Sequence, residues 1–187
     1  PSLNREWCVG PRLTRLIQGL LDLAKLEADG PLDSTTAVVL DEVLADAVAS
    51  TRQLAVSSRI EVALHNQGPS YRVLGERDRL IQVVLNLLSN ALRYCPEGIG
   101  RVDLALAGDG GRVRLTVTDN GPGVPEAERE RIFERFQRGE HARKMAVPGV
   151  GLGLHVARNL VAAHGGTIEV LEREGGGAAE ELRPVAE

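Results

Sequence analysis

Residues 76–94 read ERDRLIQVVLNLLSNALRY, and the spacing of their apolar side chains decides what the rest of the chain can be. Leu80, Val83, Val84, Leu87, Leu88 and Ala91 recur at intervals of three and four positions, the period of one buried stripe on an amphipathic helix. At about 100° per residue, Asn86, Asn90 and Arg93 fall together in an arc beside that stripe. Two amides and a guanidinium on the rim of a packed face are either surface residues that happen to align or one wall of a polar pocket. The helix alone does not choose between them.

The downstream residues make the choice. An alternating strand pattern runs into Asp119-Asn120-Gly121-Pro122-Gly123, then come Ile132-Phe133-Glu134-Arg135-Phe136 and, ahead of a further helix, Gly149-Val150-Gly151-Leu152-Gly153-Leu154. A lone glycine motif would be a weak signal, but four elements in register are a strong one. In that order and at those intervals they resemble the N, G1, F and G2 boxes of sensor histidine kinases, within the GHKL ATPase and kinase superfamily. The resemblance covers about residues 13–177.

Composition is compatible with this reading. A chain of 187 residues with 43% hydrophobic content fits one domain plus an appendage, and with aromatics at 3% the core must be aliphatic. A net charge of −4 and the lack of any long Lys/Arg run argue against a nucleic-acid surface. Cys8 and Cys95 show no zinc-like Cys/His spacing and read as reduced cytosolic thiols. The sequence has no run of 18 apolar residues and no visible signal peptide. By resemblance, any membrane attachment would come through segments upstream, with this part on the cytoplasmic side.

In chain order, residues 1–10 show no period. From Pro11, Leu13, Leu16, Ile17, Leu20, Leu23 and Ala24 give a helix with a broad apolar stripe that stops at Asp29-Gly30-Pro31. Its LLDLAKLEADG ending resembles the second helix of the dimerisation and phosphotransfer hairpin. The resemblance implies a homodimer through a four-helix bundle, which would give the stripe a partner. Residues 1–31 are therefore read as a partial dimerisation and phosphotransfer helix, and residues 32–187 as a catalytic ATP-binding domain.

In that second domain, strands are expected over Ala37–Leu40, Arg59–Leu64 and Tyr71–Leu74, with a helix over Asp41–Ala55 turning Val43, Leu44, Ala47, Val48 and Leu54 inward. Arg101–Ala107 and Arg112–Thr118 form a hairpin around Gly108-Asp109-Gly110-Gly111. Pro125–Arg135 reads as charged and helical, Leu152–His164 as helical and Thr167–Leu171 as a strand. Strands and helices that do not strictly alternate indicate an α+β class, and the resemblance implies a two-layer sandwich with a mixed sheet covered by helices. Glu180 and Glu181 fall where the family has an apolar closing strand, so the length and pairing of that strand stay open.

The residue types suit a nucleotide. Gly121 and Gly123 permit a bend and a close ligand approach. Gly149, Gly151 and Gly153 precede a helix whose first-turn amides carry partial positive charge and can bind phosphate oxygens, with Leu152 and Leu154 anchoring the loop. Dinucleotide-binding motifs also space glycines, but after the first strand of a βαβ unit, whereas these come late. The stretch from Pro125 to Val150 has the charge and irregularity of a mobile lid, in which Arg143 and Lys144 are either phosphate contacts or solvated charges.

The resemblance assigns Asp119, as an acceptor, to the exocyclic amine of adenine and Asn90, through its side-chain oxygen, to Mg²⁺. Arg93 stands where the family often has lysine, and Tyr94 would pack near the ATP. Asn86 occupies a position where related ATPases such as gyrase carry glutamate. An amide cannot act as a general base, so phosphoryl transfer is expected over hydrolysis, by positioning and charge stabilisation, with Asn86 and Asn90 as the catalytic pair.

None of the four histidines, His65, His141, His155 and His164, has the acidic-then-proline context of a family phosphoacceptor. The expectation is a fragment cut after the acceptor helix, or a divergent member without it. The function implied is γ-phosphoryl transfer from ATP to a histidine outside this chain, with a response regulator as downstream partner. Two alternatives are a GHKL serine kinase that inhibits a sigma factor and a nucleotide-binding pseudokinase. The Phe133–Phe136 box and the bundle-like helix count against the first, and the intact Asn90, Asp119 and glycines against the second.

Overall fold

The computed structural model describes residues 35–66, 68–109, 111–140, 149–172 and 178–183. The expected bundle helix, and with it the dimer stripe, lies outside the described residues, as do His141, Arg143 and Lys144.

The elements are β1 (Thr36–Val39), α1 (Leu40–Ser58), β2 (Glu61–Asn66), β3 (Arg72–Gly75), α2 (Arg77–Tyr94), β4 (Arg101–Asp109), β5 (Arg112–Asp119), 3₁₀ turns at Glu126–Glu128 and Arg131–Phe133, α3 (Gly153–Ala163), β6 (Thr167–Glu172) and β7 (Ala178–Arg183). Five strands form one sheet in the order β2-β4-β5-β7-β6, and β1 pairs with β3 in a separate ribbon. The β2–β4 pair is parallel and every other pair is antiparallel. This is the α+β sandwich with a mixed sheet that the sequence led us to expect.

Alternation sets the faces. On β5, Val113, Leu115 and Val117 are buried, and on β4 Val102, Leu104 and Leu106 are buried, so one side of each strand turns to the helices. Helix α2 packs on that side between α1 and α3. Its stripe residues Leu80, Val83, Val84, Leu87, Leu88 and Ala91 are all buried, joined by Leu92. The core is aliphatic, as the low aromatic content required; Phe133 is the one aromatic side chain among its buried members in the described residues.

Two sequence expectations are corrected, and one open point is closed. Leu54 does not turn inward: it is 48% exposed, and Thr51 and Ala55 take the inward phase on α1 instead. Thr51 can do so because its hydroxyl donates to Ala47 O at 3.0 Å. The Pro125–Arg135 segment is not a continuous helix but the two 3₁₀ turns, closed by short-range bonds such as Glu128 N–H to Pro125 O at 2.8 Å. The closing strand, left open by the sequence, runs from Ala178 to Arg183. β7 pairs with β5 from Ala179 to Leu182 and with β6 along its whole length.

Helix ends are closed by tertiary neighbours. Arg59 caps α1 in the left-handed region at φ 53°, and the cap N–H reaches Ala55 and Val56 carbonyls. His164 follows α3. Its Nδ1–H donates to Leu160 O at 2.7 Å, which leaves Nε2 to accept the Glu76 N–H at 3.2 Å where α2 begins. Gly75 makes this contact possible, since a Cβ there would lie 2.5 Å from the His164 ring. His164→Ala should therefore take the ring acceptor from the Glu76 N–H, while Leu160 O keeps the N–H of residue 164, and destabilise the chain by about 1–3 kcal/mol. Urea unfolding measures this, and a midpoint equal to the parent's would show that the clamp contributes nothing.

Candidate active site

Three chain segments converge at the end of the sheet: the C-terminal half of α2, the turn after β5, and the loop that opens α3. The period-2 alternation of β5 continues to its last residue, so Asp119 shares the inward face with Val113, Leu115 and Val117 and is only 8% exposed. A carboxylate in that setting needs donors. Gly121 N–H supplies one, 2.8 Å from Asp119 Oδ1.

Gly121 is confined on both sides. A Cβ at this position would come within 2.8 Å of both Asp119 Oδ1 and the Tyr94 carbonyl oxygen, so the turn runs directly against the end of α2. Gly123 adopts φ +71°, the left-handed region that glycine enters without penalty.

Asn120, quoted in the sequence only as part of the motif, braces this turn from the other side. Its Oδ1 accepts the Arg101 N–H at 2.7 Å, and its Nδ2 donates to Ile99 O at 2.9 Å. The end of β5 is thereby tied to the start of β4. The buried Cys95 thiol sits 3.5 Å from the same Asn120 oxygen, a packing position in this structure.

On α2, Asn86 and Asn90 are both half-buried and one turn apart. Asn86 Nδ2 is buried and has no hydrogen-bond partner among the described residues. Its side chain faces Gly153, where a Cβ would stand 3.5 Å from Asn86 Oδ1. Arg93 lies farther along, with Nη1 3.1 Å from the position of a Cβ on Gly149. The helix edge seen in the sequence therefore runs along the glycine loop, first to Gly153 and then to Gly149.

Within that loop Gly151 has φ +77°, and a Cβ there would fall 2.5 Å from Gln137 O. Leu152 is buried, and Leu154 packs partly buried against the core. Gly151 O accepts the Phe136 N–H at 2.9 Å. Phe136 is itself in the left-handed region at φ 61° and 57% exposed, a conformation that costs a non-glycine residue about 1–2 kcal/mol. The Phe133 side chain is buried, whereas that of Phe136 is not.

Arg138 went unnoticed in the sequence because no period or motif marks it. Burial raises the Tyr94 phenol above its ordinary pKa, while Arg93 and then Arg138 pull in the opposite direction.

The donor set fits a nucleoside triphosphate. The Arg93 guanidinium and the first-turn amides of α3 lie beside a loop without Cβ atoms at Gly149, Gly151 and Gly153, which suits an anion. A buried carboxylate at the opposite end suits an amine.

Comparison with known proteins agrees. Residues 75–184 match the family described as histidine kinase-, DNA gyrase B-, and HSP90-like ATPase. The chain is 35% identical over 167 residues to the sensor-like histidine kinase SenX3 of Mycolicibacterium smegmatis, an alignment covering 89% of this chain and 43% of that protein. Among solved structures, a mycobacterial sensor histidine kinase MprB has a TM-score of 0.70 at 32% identity, over 81% of this chain and 97% of that one. Full-length ShkA in complex with AMPPNP has a TM-score of 0.79 at 32% identity, over 93% and 36%.

The chain belongs to the histidine kinase-, DNA gyrase B- and HSP90-like ATPase family, and within it to the catalytic domains of sensor histidine kinases. It spans less than half the length of SenX3. Among the described residues, no helix is long and apolar enough to cross a membrane.

Proposed function

We propose that this chain is the ATP-binding catalytic module of a sensor histidine kinase and transfers the γ-phosphoryl group of ATP, with Mg²⁺, to a histidine on another segment. The observation that carries the reading is the loop that opens α3, which lacks Cβ atoms at Gly149, Gly151 and Gly153 and lies against Arg93 and Asn86 of α2. Asp119 would accept from the exocyclic amine of adenine, with Gly121 and Gly123 giving the ring access. Tyr94 would pack beside the nucleotide, and Arg93, Arg138 and the amides following Gly149, Gly151, Leu152, Gly153 and Leu154 would hold the phosphates. Asn90 would offer its side-chain oxygen to the metal, which takes hard oxygen ligands and keeps several waters. Bound Mg²⁺ supplies charge neutralisation and orientation of the phosphates.

The chain's own part is positioning. Neither Asn86 nor Asn90 can take a proton from water at neutral pH, so hydrolysis is disfavoured and the phosphoryl group is held for an incoming side chain. His155 and His164 have both ring nitrogens engaged, and His65 pairs with Asp103 at 2.9 Å on a surface strand. None of these three is placed as an acceptor.

Incubated with labelled ATP and Mg²⁺, the chain alone should bind nucleotide and gain no phosphohistidine. Supplied in trans with a helical hairpin bearing a phosphoacceptor histidine, it should label that histidine, slowly because the tether that raises effective concentration is missing. Acid-labile label mapped by mass spectrometry to His65, His141, His155 or His164 would refute the acceptorless reading. Absence of nucleotide binding would refute the module itself.

The partner that would follow from this chemistry is a response regulator, and the setting is cytoplasmic two-component signalling. We also propose a homodimer through the stripe of residues 13–28. Leu16→Asp with Leu20→Asp places charge in that stripe and should give monomers that still bind nucleotide. A parent that already sediments as a monomer would end the dimer proposal.

A further inference from the structure

His155 lies in the first turn of α3, and its ring is engaged at both nitrogens. Nδ1–H donates to Phe133 O at 3.0 Å, which fixes the tautomer and makes Nε2 an acceptor. Nε2 then receives Arg135 Nε at 3.0 Å and Asn159 Nδ2 at 3.0 Å. One side chain of the phosphate-loop helix thus holds a backbone carbonyl and a guanidinium of the segment that precedes Phe136.

Neighbouring contacts run between the same two elements. Arg158 places its guanidinium 5.2 Å from the centre of the Phe133 ring and reaches Glu130 at 3.4 Å. Phe136 N–H closes on Gly151 O at 2.9 Å. The Arg158–Glu130 pair is solvent-exposed and weakly constraining, whereas His155 grips the chain two residues apart, at 133 and 135.

We propose that His155 is a positioning residue: it sets the register of Phe133–Phe136 against the phosphate loop at Gly151, and so fixes the part of the loop that the terminal phosphate would meet. The inference rests on the ATP reading of the site. His155 itself is not a nucleotide contact. Its effect passes through Arg135 and the left-handed turn at Phe136 to Gly151 of the phosphate loop. Without the grip, Phe136 has a single backbone bond to hold it in a disfavoured conformation, and the loop at Gly151 loses a fixed neighbour.

Two variants separate positioning from simple packing. His155→Leu keeps bulk and removes both hydrogen-bonding functions, while His155→Gln keeps a side-chain oxygen that can accept from Arg135. The first readout needs no nucleotide: amide hydrogen exchange at Phe136 should accelerate about tenfold or more in the leucine variant and stay near the parent rate in the glutamine variant. The second compares AMPPNP with ADP by calorimetry. The leucine variant should lose about tenfold in AMPPNP affinity and no more than about twofold for ADP, with recovery by glutamine.

Parent-like exchange at Phe136 together with a parent-like AMPPNP to ADP ratio would overturn the proposal. Equal loss of both nucleotides with a lowered unfolding midpoint would also overturn it, by making His155 a purely structural residue. A parent chain that binds neither nucleotide would instead count against the kinase reading, and the exchange measurement would then still decide on the grip.

Discussion

Asn90→Ala should abolish phosphoryl transfer in the trans assay, with a loss of about 100-fold or more, while leaving the fold intact. Asn90 is a half-buried residue of α2 that lies off the stripe packed in the core, and alanine is the best helix former, so the helix should hold. What disappears is the one side-chain oxygen proposed for the metal. Removing a single fixed group that stabilises charge in a transfer reaction typically costs two to three orders of magnitude. Affinity for ADP without metal should change little, because Asp119 lies on a different element. Transfer within about threefold of the parent would remove Asn90 from the catalytic pair.

Asp119→Asn should weaken ADP binding by about 1.5–3 kcal/mol, equivalent to roughly 10- to 150-fold in Kd. The substitution is nearly isosteric, so it tests chemistry and not space. In the parent, Oδ1 accepts the Gly121 N–H, and a carboxylate has further acceptor capacity for an amine. Asparagine can preserve the Gly121 bond only by pointing its oxygen there, which turns its NH₂ towards the amine it should recognise. Donor would then meet donor in a buried site, where an unsatisfied polar group is costly. Isothermal calorimetry with ADP decides the matter, and unchanged affinity would remove Asp119 from adenine recognition.

Much of the fold could be read from the sequence because it depends on periods that one side chain in isolation already obeys. The stripe of α2 is buried at every position expected, and the β4–β5 hairpin runs only slightly longer than its alternation suggested. Where the reading failed, a neighbour in space overruled a local pattern. Leu54 has the phase of an inward residue, but α1 meets the rest of the core through Thr51 and Ala55, and Thr51 can be buried because its hydroxyl finds a carbonyl within its own helix. The charged run after Pro125 looked helical from composition, yet its large apolar residues are only Ile132 and Phe133 near its end, too few to give a helix a stripe to bury.

The site divides in the same way. Asp119, the glycines and the asparagines were visible because their chemistry is tied to motif spacing. Arg138, Asn120, His155 and His164 were not, since each acts across the fold. Arg138 bears on Tyr94, Asn120 on the start of β4, His155 on Phe133 and Arg135, and His164 on the start of α2. Histidine in particular gives no warning in a sequence. The same ring can be a ligand, an acceptor of phosphate or a double hydrogen-bonding clamp, and only the groups that the fold brings to its two nitrogens distinguish these.

The parallel pairing of β2 with β4 bears on how the protein reaches its native state. Those strands lie side by side, from Glu61 opposite Arg101 to Asn66 opposite Leu106, yet the chain between them contains β3 and the whole of α2. Unlike the β4–β5 hairpin, this contact cannot form locally; a loop that includes the asparagine-bearing helix must close first, and such long-range pairing is slow. The pocket is therefore assembled late. During refolding, helical signal should return before nucleotide affinity, and an interval should exist in which the chain has most of its secondary structure but no means of holding ATP.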